Sequence, residues 1–435
     1  MNPTFAAGAP VTRVRASRAQ ESRWRGSAFD TVNRVYRLRG PLEPGPLGEA
    51  LAVVIGRHEA LRCSLHHEGD LMMWIHPEVP TPLRHVAAPG STPAEREAWL
   101  SSWLAEEVRR PFDRGEAPLL RVTLVRLDEA DHVLVIVVDH IISDGWSVEV
   151  LVRELSAAYR AAIGEETEPP AAAGQYPEWV ARQRAAFSEE LLAARADFWR
   201  DRFPGGPQDV AVWLSGYRAP EEAPSGRAGV IEAVLDDEIT GALRRAARRL
   251  RVTLNVLTAT VLVRQLQKDT GQERIALSTS SASRFGPETA SMIGYLASTI
   301  WVPTTLGGAE DLPAAMRAFH RDMLDAIAKS DVPARAVFER LWGRDARALM
   351  DQVPQVGFLC TPFWGESLVL PGVDVEASEI DDGCADAALS MYLTDRGSRI
   401  EVQARYEPET LEDGYPRSRL DDYVAGLVEV AGRFG

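Results

Sequence analysis

The chain has 435 residues, of which 45% are hydrophobic and 26% charged, with a formal net charge of −15. Single cores stop growing near about 250–300 residues, so two domains of about 200 residues each are expected. The acidic balance argues against a nucleic-acid surface, which needs clustered positive charge, and no apolar run approaches the ~18 residues of a membrane span.

Met1–Ala16 carries Arg13 and Arg15 but no apolar stretch of the signal-peptide kind, so a cytoplasmic protein is expected. Cys63, Cys360 and Cys384 are an odd set without CxxC spacing. They read as packing residues in a reducing compartment, with no zinc site and no disulfide framework.

In chain order, Thr31–Leu38 is extended, Pro46–His58 an amphipathic helix, Leu71–His76 strand-like, and Pro93–Arg109 a helix opened by Thr92 and Pro93. Leu119–Leu127 and His132–Val138 are two apolar runs parted by a turn at Asp128–Asp131. The density of valine and isoleucine in the second marks a buried strand. Ser147–Ala162 is a helix, with Val148, Leu151, Val152, Leu155 and Tyr159 at i, i+3, i+4 spacing. Gly164–Gly174 is acidic, proline-bearing and aperiodic, the best candidate linker, and places a boundary near residue 175.

The second half opens with one long helix, Glu178–Phe203, and a loose Gly/Pro segment from Pro204 to Gly229. A strand at Val230–Leu235, helices at Asp237–Leu250 and Leu254–Lys268, and strands at Arg274–Ser281 and Ile293–Val302 follow. Helices at Asp311–Ala328 and Pro333–Trp342 lead to strands at Gln355–Cys360, Ala387–Thr394 and Arg399–Tyr406 and a last helix from about Arg417. The mixture indicates an α/β fold in both halves.

The stretch His132–Ser147 carries the chemistry: a buried strand ends at Asp139–His140, a tight connection follows, and a helix begins near Ser147. Functional groups in α/β folds often sit at such strand ends. His140 titrates near neutral pH, Asp139 and Asp144 can orient or charge-balance it, and Gly145 supplies permissive dihedrals. Read from spacing alone, His140 as a satisfied core histidine with Asp144 as a helix cap is equally open.

Asp139-His140-Ile141-Ile142-Ser143-Asp144-Gly145 matches the His-His-x-x-x-Asp-Gly signature except at its first position, as a DHxxxDG variant, with Trp146 and Ser147 continuing the common form. Ser17, Ala19, Gln20 and Trp24 are similar to an opening motif. Arg57-His58-Glu59-Ala60-Leu61-Arg62 matches a second motif almost letter for letter. Pro111-Phe112-Asp113, Ala117 to Arg121, Phe198-Trp199, Ser283-Arg284, Met292 to Tyr295, Asp331 to Pro333, Pro354 to Val356 and Tyr406-Glu407 follow in order. Over essentially the whole chain the sequence thus resembles the condensation domains of nonribosomal peptide synthetases, and it looks like a free-standing condensation enzyme.

That resemblance implies two chloramphenicol-acetyltransferase-like lobes in a V-shaped pseudo-dimer with a central tunnel, residues 1–175 carrying the active-site loop and 176–435 forming the other lobe. It implies an acyltransferase of natural-product (antibiotic) biosynthesis with no bound cofactor and no metal. The substrates would be presented on phosphopantetheine arms. The partners would be a donor carrier protein and an acceptor carrier or free small-molecule amine or alcohol, and the enzyme a monomer. His140 would contact the attacking amine or hydroxyl as base or positioner. Asp144 would pair with Arg284 of the other lobe, and Gly145 would donate its N–H to the thioester oxygen. Trp146, Ser147 and Arg62 would support the site. Holding two tethered reactants together would supply much of the rate. If these residues are the whole protein, both substrates arrive on separate proteins or the acceptor is free. The Arg244–Arg251 helix is a candidate carrier-docking patch beside its reading as a solvated face.

The departure is Asp139 in place of the first histidine. Asp139, Asp144 and Ser147 also fit the Asp-x-x-x-x-Asp-x-x-Ser pattern of the heterocyclization subfamily, for which Thr361 and Asp386 would be the contributors from the second lobe. The same motifs are also compatible with a non-catalytic carrier-recruiting module and with a plain acyl-coenzyme A acyltransferase.

Overall fold

In the computed structural model, the structure describes residues 10–24, 31–165, 174–220, 224–306, 311–343, 345–346, 350, 352–362, 368–381, 383–385 and 387–435. Most of the candidate linker, residues 166–173, lies outside them.

The first unit is built on β7 (Asp131–Asp139), whose continuous apolar run is explained by burial on both faces. Its side chains alternate between two cores. Leu134, Ile136 and Val138 face α2 (Pro44–Arg57) and α4 (Gly145–Ala162), while Val133, Val135 and Val137 meet Leu100, Leu104 and Val108 of α3 (Pro93–Arg109). Burying each such side chain fully contributes about 1.5–3 kcal/mol. β2 (Thr31–Arg39) and β6 (Leu120–Asp128) flank β7 antiparallel, and β5 (Leu83–Ala87) extends the sheet parallel to β6. The outer strand beyond β2 is β12 (Asp374–Ser378), more than 300 residues away in sequence, with Ser378 opposite Val35.

A second, three-stranded sheet joins β1 (Thr12–Arg15), β3 (Cys63–Glu68) and β4 (Asp70–Ile75) in the order β1-β4-β3. α1 (Arg18–Arg23) follows β1 through a capping box between Ser17 and Gln20.

The second unit carries a six-stranded sheet in the order β10-β9-β11-β13-β14-β8. Its strands are β8 (Gly229–Leu235), β9 (Arg274–Ser281), β10 (Ser298–Thr305), β11 (Val356–Pro362), β13 (Leu389–Asp395) and β14 (Ile400–Tyr406). β11 is parallel to both neighbours and the other pairings are antiparallel. Asp236 caps α7 (Asp237–Leu250), and Thr253 caps α8 (Leu254–Thr270), which ends on Gly271 at φ 69°.

Several expectations change. The single helix expected over Glu178–Phe203 is two, α5 (Tyr176–Ala186) and α6 (Glu189–Arg202), because Ser188 turns extended and caps the second. The strand expected over Ile293–Val302 begins only at Ser298. Met292, Ile293 and Leu296 are apolar because they fill the first unit's core, not because they belong to a sheet. The compact units are not continuous blocks meeting near residue 175. The first is Met1–Phe187 with Arg284–Leu296 and Trp364–Asp382, and the second is the remainder. The α9 turn (Pro287–Ala290) thus belongs to the first unit. Among the described residues no helix is long and apolar enough to cross a membrane.

Candidate functional site

β7 hands the chain to the motif through a turn in which the Ile142 N–H donates to Asp139 O at 3.1 Å. Ile141 and Ile142 are fully buried and anchor the turn to the core. Between them and the strand end, His140 is held half-buried with Nδ1 2.7 Å from the Ser143 carbonyl oxygen. A carbonyl only accepts, so Nδ1 carries the proton of the neutral ring and Nε2 the lone pair. The ring meets Tyr295 edge-on, 5.3 Å between centroids at 78°. A histidine so oriented can accept from, or deprotonate, a nucleophile.

Asp144 is the helix cap of the motif and more than that. It caps α4 from an extended conformation, with Oδ1 accepting from the Ser147 amide at 2.8 Å and lying 2.7 Å from Ser147 Oγ. Arg284 Nη2 donates to the same Oδ1 at 2.7 Å, and the Leu296 N–H donates to Oδ2 at 3.1 Å. Arg284 in turn donates through Nη1 to the carbonyls of Thr289 and Met292, and its guanidinium stands over the Trp146 ring at 5.8 Å. The Gly294 amide donates to Ser147 Oγ at 3.1 Å. Asp144 and Arg284 side chains are each only 3% exposed, so this is a desolvated pair kept favourable by satisfying nearly every polar atom around it. The resemblance places Arg284 on the other lobe. Here its segment, Arg284–Leu296, lies in the same compact unit as Asp144.

Asp139 does not face outward as a second acid. Arg114 Nε donates to Oδ2 at 2.8 Å and Nη2 to Oδ1 at 3.2 Å, and the Ile141 amide donates to Oδ1 at 2.9 Å. At 2% exposed, this carboxylate braces the loop. Sequence reasoning misses Arg114, although it directly follows the Pro111-Phe112-Asp113 motif. Gln20 of the opening motif is a second support, donating through Nε2 to Ile141 O at 2.9 Å. The Tyr176 hydroxyl, 3.0 Å from Tyr295 O and 3.1 Å from Ser17 Oγ, ties these elements together.

Gly145 is not a positive-φ glycine. It opens α4, and a Cβ there would meet nothing within 4 Å. Glycine leaves open space beside the outward-pointing amides of a helix N-terminus. Trp146 donates through Nε1 to Ala290 O at 2.9 Å, packing rather than projecting. Arg62 donates to the carbonyls of Ile55, His76 and Pro77, which makes it a brace of the first unit. From the same motif, Arg57 Nε donates at 2.8 Å to buried Glu154 of α4, whose carboxylate also lies 3.0 Å from His58 Nε2. Burial opposes its ionisation, but the His58 and Arg57 hydrogen bonds outweigh that and hold its pKa below the usual value.

Thr361 lies on β11 of the second unit, opposite Thr394, and Asp386 lies outside the described residues. Burial pushes the Cys63 and Cys360 thiols up to about 12, which makes them inert at neutral pH. Among the described residues there is no group of three or more His, Cys, Asp or Glu side chains placed to hold a metal ion.

Comparison with known proteins gives the family and the fold. The family model described as "Condensation domain" matches residues 13–354. Malpinin synthetase of Mortierella alpina is 29% identical over 410 residues, 91% of this chain but only 5% of that protein, so the chain spans a small part of the curated relative it matches. Among solved structures, the first condensation domain of the calcium-dependent antibiotic synthetase, in complex with a substrate analogue, aligns at TM-score 0.80 and 21% identity, covering 97% of each chain. The X-domain of the complex with OxyB from teicoplanin biosynthesis aligns at TM-score 0.77 and 24% identity, covering 99% of this chain and 96% of that one.

Proposed function

This chain belongs to the condensation domain family, and from that premise we propose that it is an acyltransferase that joins a carrier-bound acyl or aminoacyl thioester to an amine or hydroxyl acceptor in nonribosomal-peptide or hybrid natural-product biosynthesis. The observation that carries the reading is His140 at the end of β7, its Nδ1–H fixed on Ser143 O so that Nε2 is the accepting nitrogen. In the step we infer, the acceptor nitrogen or oxygen attacks the thioester carbon while His140 Nε2 takes or orients its proton. The C–N or C–O bond forms, the oxygen gathers negative charge beside the Gly145 amide at the head of α4, and the C–S bond then breaks. The proton ends on the departing phosphopantetheine thiol, so no cofactor is consumed. Asp144, Ser147 and Arg284 act by holding the loop, and Asp139 with Arg114 by bracing its entry.

Purified protein, incubated with a panel of acyl-loaded carrier proteins and amine or hydroxyl acceptors, is followed by mass spectrometry alongside His140→Ala. Product at the mass of simple condensation that vanishes in His140→Ala supports the reading. Loss of one further water, abolished in Asp139→Ala, would instead assign heterocyclization. One observation favours a second reading, a carrier-recruiting module. The residue in place of the family's first histidine is locked in an ion pair with Arg114. Carrier binding with no turnover for any donor would establish it.

A further inference from the structure

Three side chains outside this site converge on one point of the small sheet. The Ser64 hydroxyl lies 2.9 Å from His66 Nε2 and 2.9 Å from His76 Nε2. The register explains why. Ser64 and His66 are two residues apart on β3, Ser64 pairs with Trp74 on β4, and the amide just beyond Ile75, that of His76, donates to Arg62 O at 3.0 Å. Ser64, His66, Trp74 and His76 therefore share the face opposite Cys63, Leu65, Met73 and Ile75, which fill the core.

The donors are held in place. The His66 ring lies on Trp74 at 3.9 Å between centroids, and Trp74 is covered from its other neighbour by the Arg13 guanidinium at 4.3 Å. The His76 carbonyl is gripped by Arg62. Ser64 is fully buried, and the 113–116 turn closes beside His66: the Leu65 amide donates to Arg114 O at 2.7 Å, and a Cβ on Gly115 would lie 3.9 Å from His66 Cε1 and 3.2 Å from Asp113 Oδ1.

We propose that Ser64, His66 and His76 form a binding site for a borderline divalent cation of the Zn²⁺, Ni²⁺ or Cu²⁺ class. Imidazole nitrogens are the preferred protein ligands of these ions, and two aimed at one hydroxyl already lie within twice 2.9 Å of each other. Metal–nitrogen bonds of about 2.0–2.1 Å require the two nitrogens within about 4.2 Å of each other, a closing that rotation of the two half-buried rings can supply. The set holds only two strong donors. Water would complete the shell, and the nearby Arg62 and Arg13 charges keep the affinity below that of full four-ligand sites.

The test is titration of tag-free protein at pH 7.5 with NiCl₂, ZnCl₂ and CuCl₂, followed by calorimetry, with Cu²⁺ quenching of tryptophan fluorescence as a second readout. One equivalent should bind, with a Kd raised about tenfold or more in His66→Gln/His76→Gln and unchanged in His67→Gln/His85→Gln, which alters two exposed histidines. Trp74→Phe should remove most of the quenching while one equivalent still binds. Thermal unfolding without metal confirms that the variants are folded. Absence of a stoichiometric event, or binding that survives the His66/His76 double variant, overturns the proposal and assigns any uptake to other surface groups.

Discussion

Arg284→Met tests the framework of the site most directly. The substitution keeps the apolar stem but removes the guanidinium from Asp144 Oδ1, Ser147 Oγ and the carbonyls of Thr289 and Met292. Asp144 then remains a buried carboxylate, and breaking a buried pair from one side costs about 3–5 kcal/mol. The amides of Ser147 and Leu296 and the Ser147 hydroxyl still solvate it, which places the cost near the lower figure, about 3 kcal/mol. Hydrogen exchange by mass spectrometry reads this locally. The peptide holding Gly294 and Leu296, whose amides bond to Ser147 Oγ and Asp144 Oδ2, should exchange about 100-fold faster, at about 1.4 kcal/mol per factor of ten. Turnover should fall with it. Asp144→Asn/Arg284→Met removes both charges and should recover more than about 1 kcal/mol of the loss. Protection in the single variant within about threefold of wild type, or a double variant no better than the single one, would refute the claim that this ion pair holds the loop.

Gly145→Ala should leave stability unchanged or raised by up to about 1 kcal/mol, since its backbone is helical and the Cβ enters open space. Condensation should nonetheless drop, because the methyl occupies the approach to the α4 amides; equal kcat/KM would remove Gly145 from the site. Asp139→His restores the family's residue yet should lower both turnover and stability, because it strands Arg114 and the Ile141 amide. Arg114→Leu in the same chain should recover part of the stability, measured by urea unfolding. The folded-state pKa of Glu154 is lowered, so its contribution is present in full above the unfolded carboxylate value of about 4.3 and is lost as pH falls through the folded value. Glu154→Gln should flatten the stability-versus-pH curve in that acidic window.

Much of the site is legible in the sequence. The valine-rich run of β7 identifies a central strand because only a strand buried on both faces keeps every position apolar. Asp144 three residues before Ser147 is a capping pattern that the backbone geometry obliges. The split at Ser188 is hidden because no glycine or proline marks it, and a serine sits as readily on a surface helix face as at a cap. β3 escapes because it is short: only Cys63 and Leu65 are apolar, alternating with Ser64 and His66, before the polar His67 and Glu68 cut the pattern off.

By itself the sequence determined what depends on near neighbours: the mixed α/β class, the strand–loop–helix carrying His140, the cap on α4 and, through its motifs, the family. Only the tertiary structure decided what depends on partners distant in sequence. It paired β12 with β2, drew Arg284–Leu296 into the first unit to close around Asp144, and matched Asp139 to Arg114. The physical reason is desolvation. A buried charge or amide must find its partner wherever the fold brings one, and the identity of that partner is set by the packing of the whole unit, which no local pattern records.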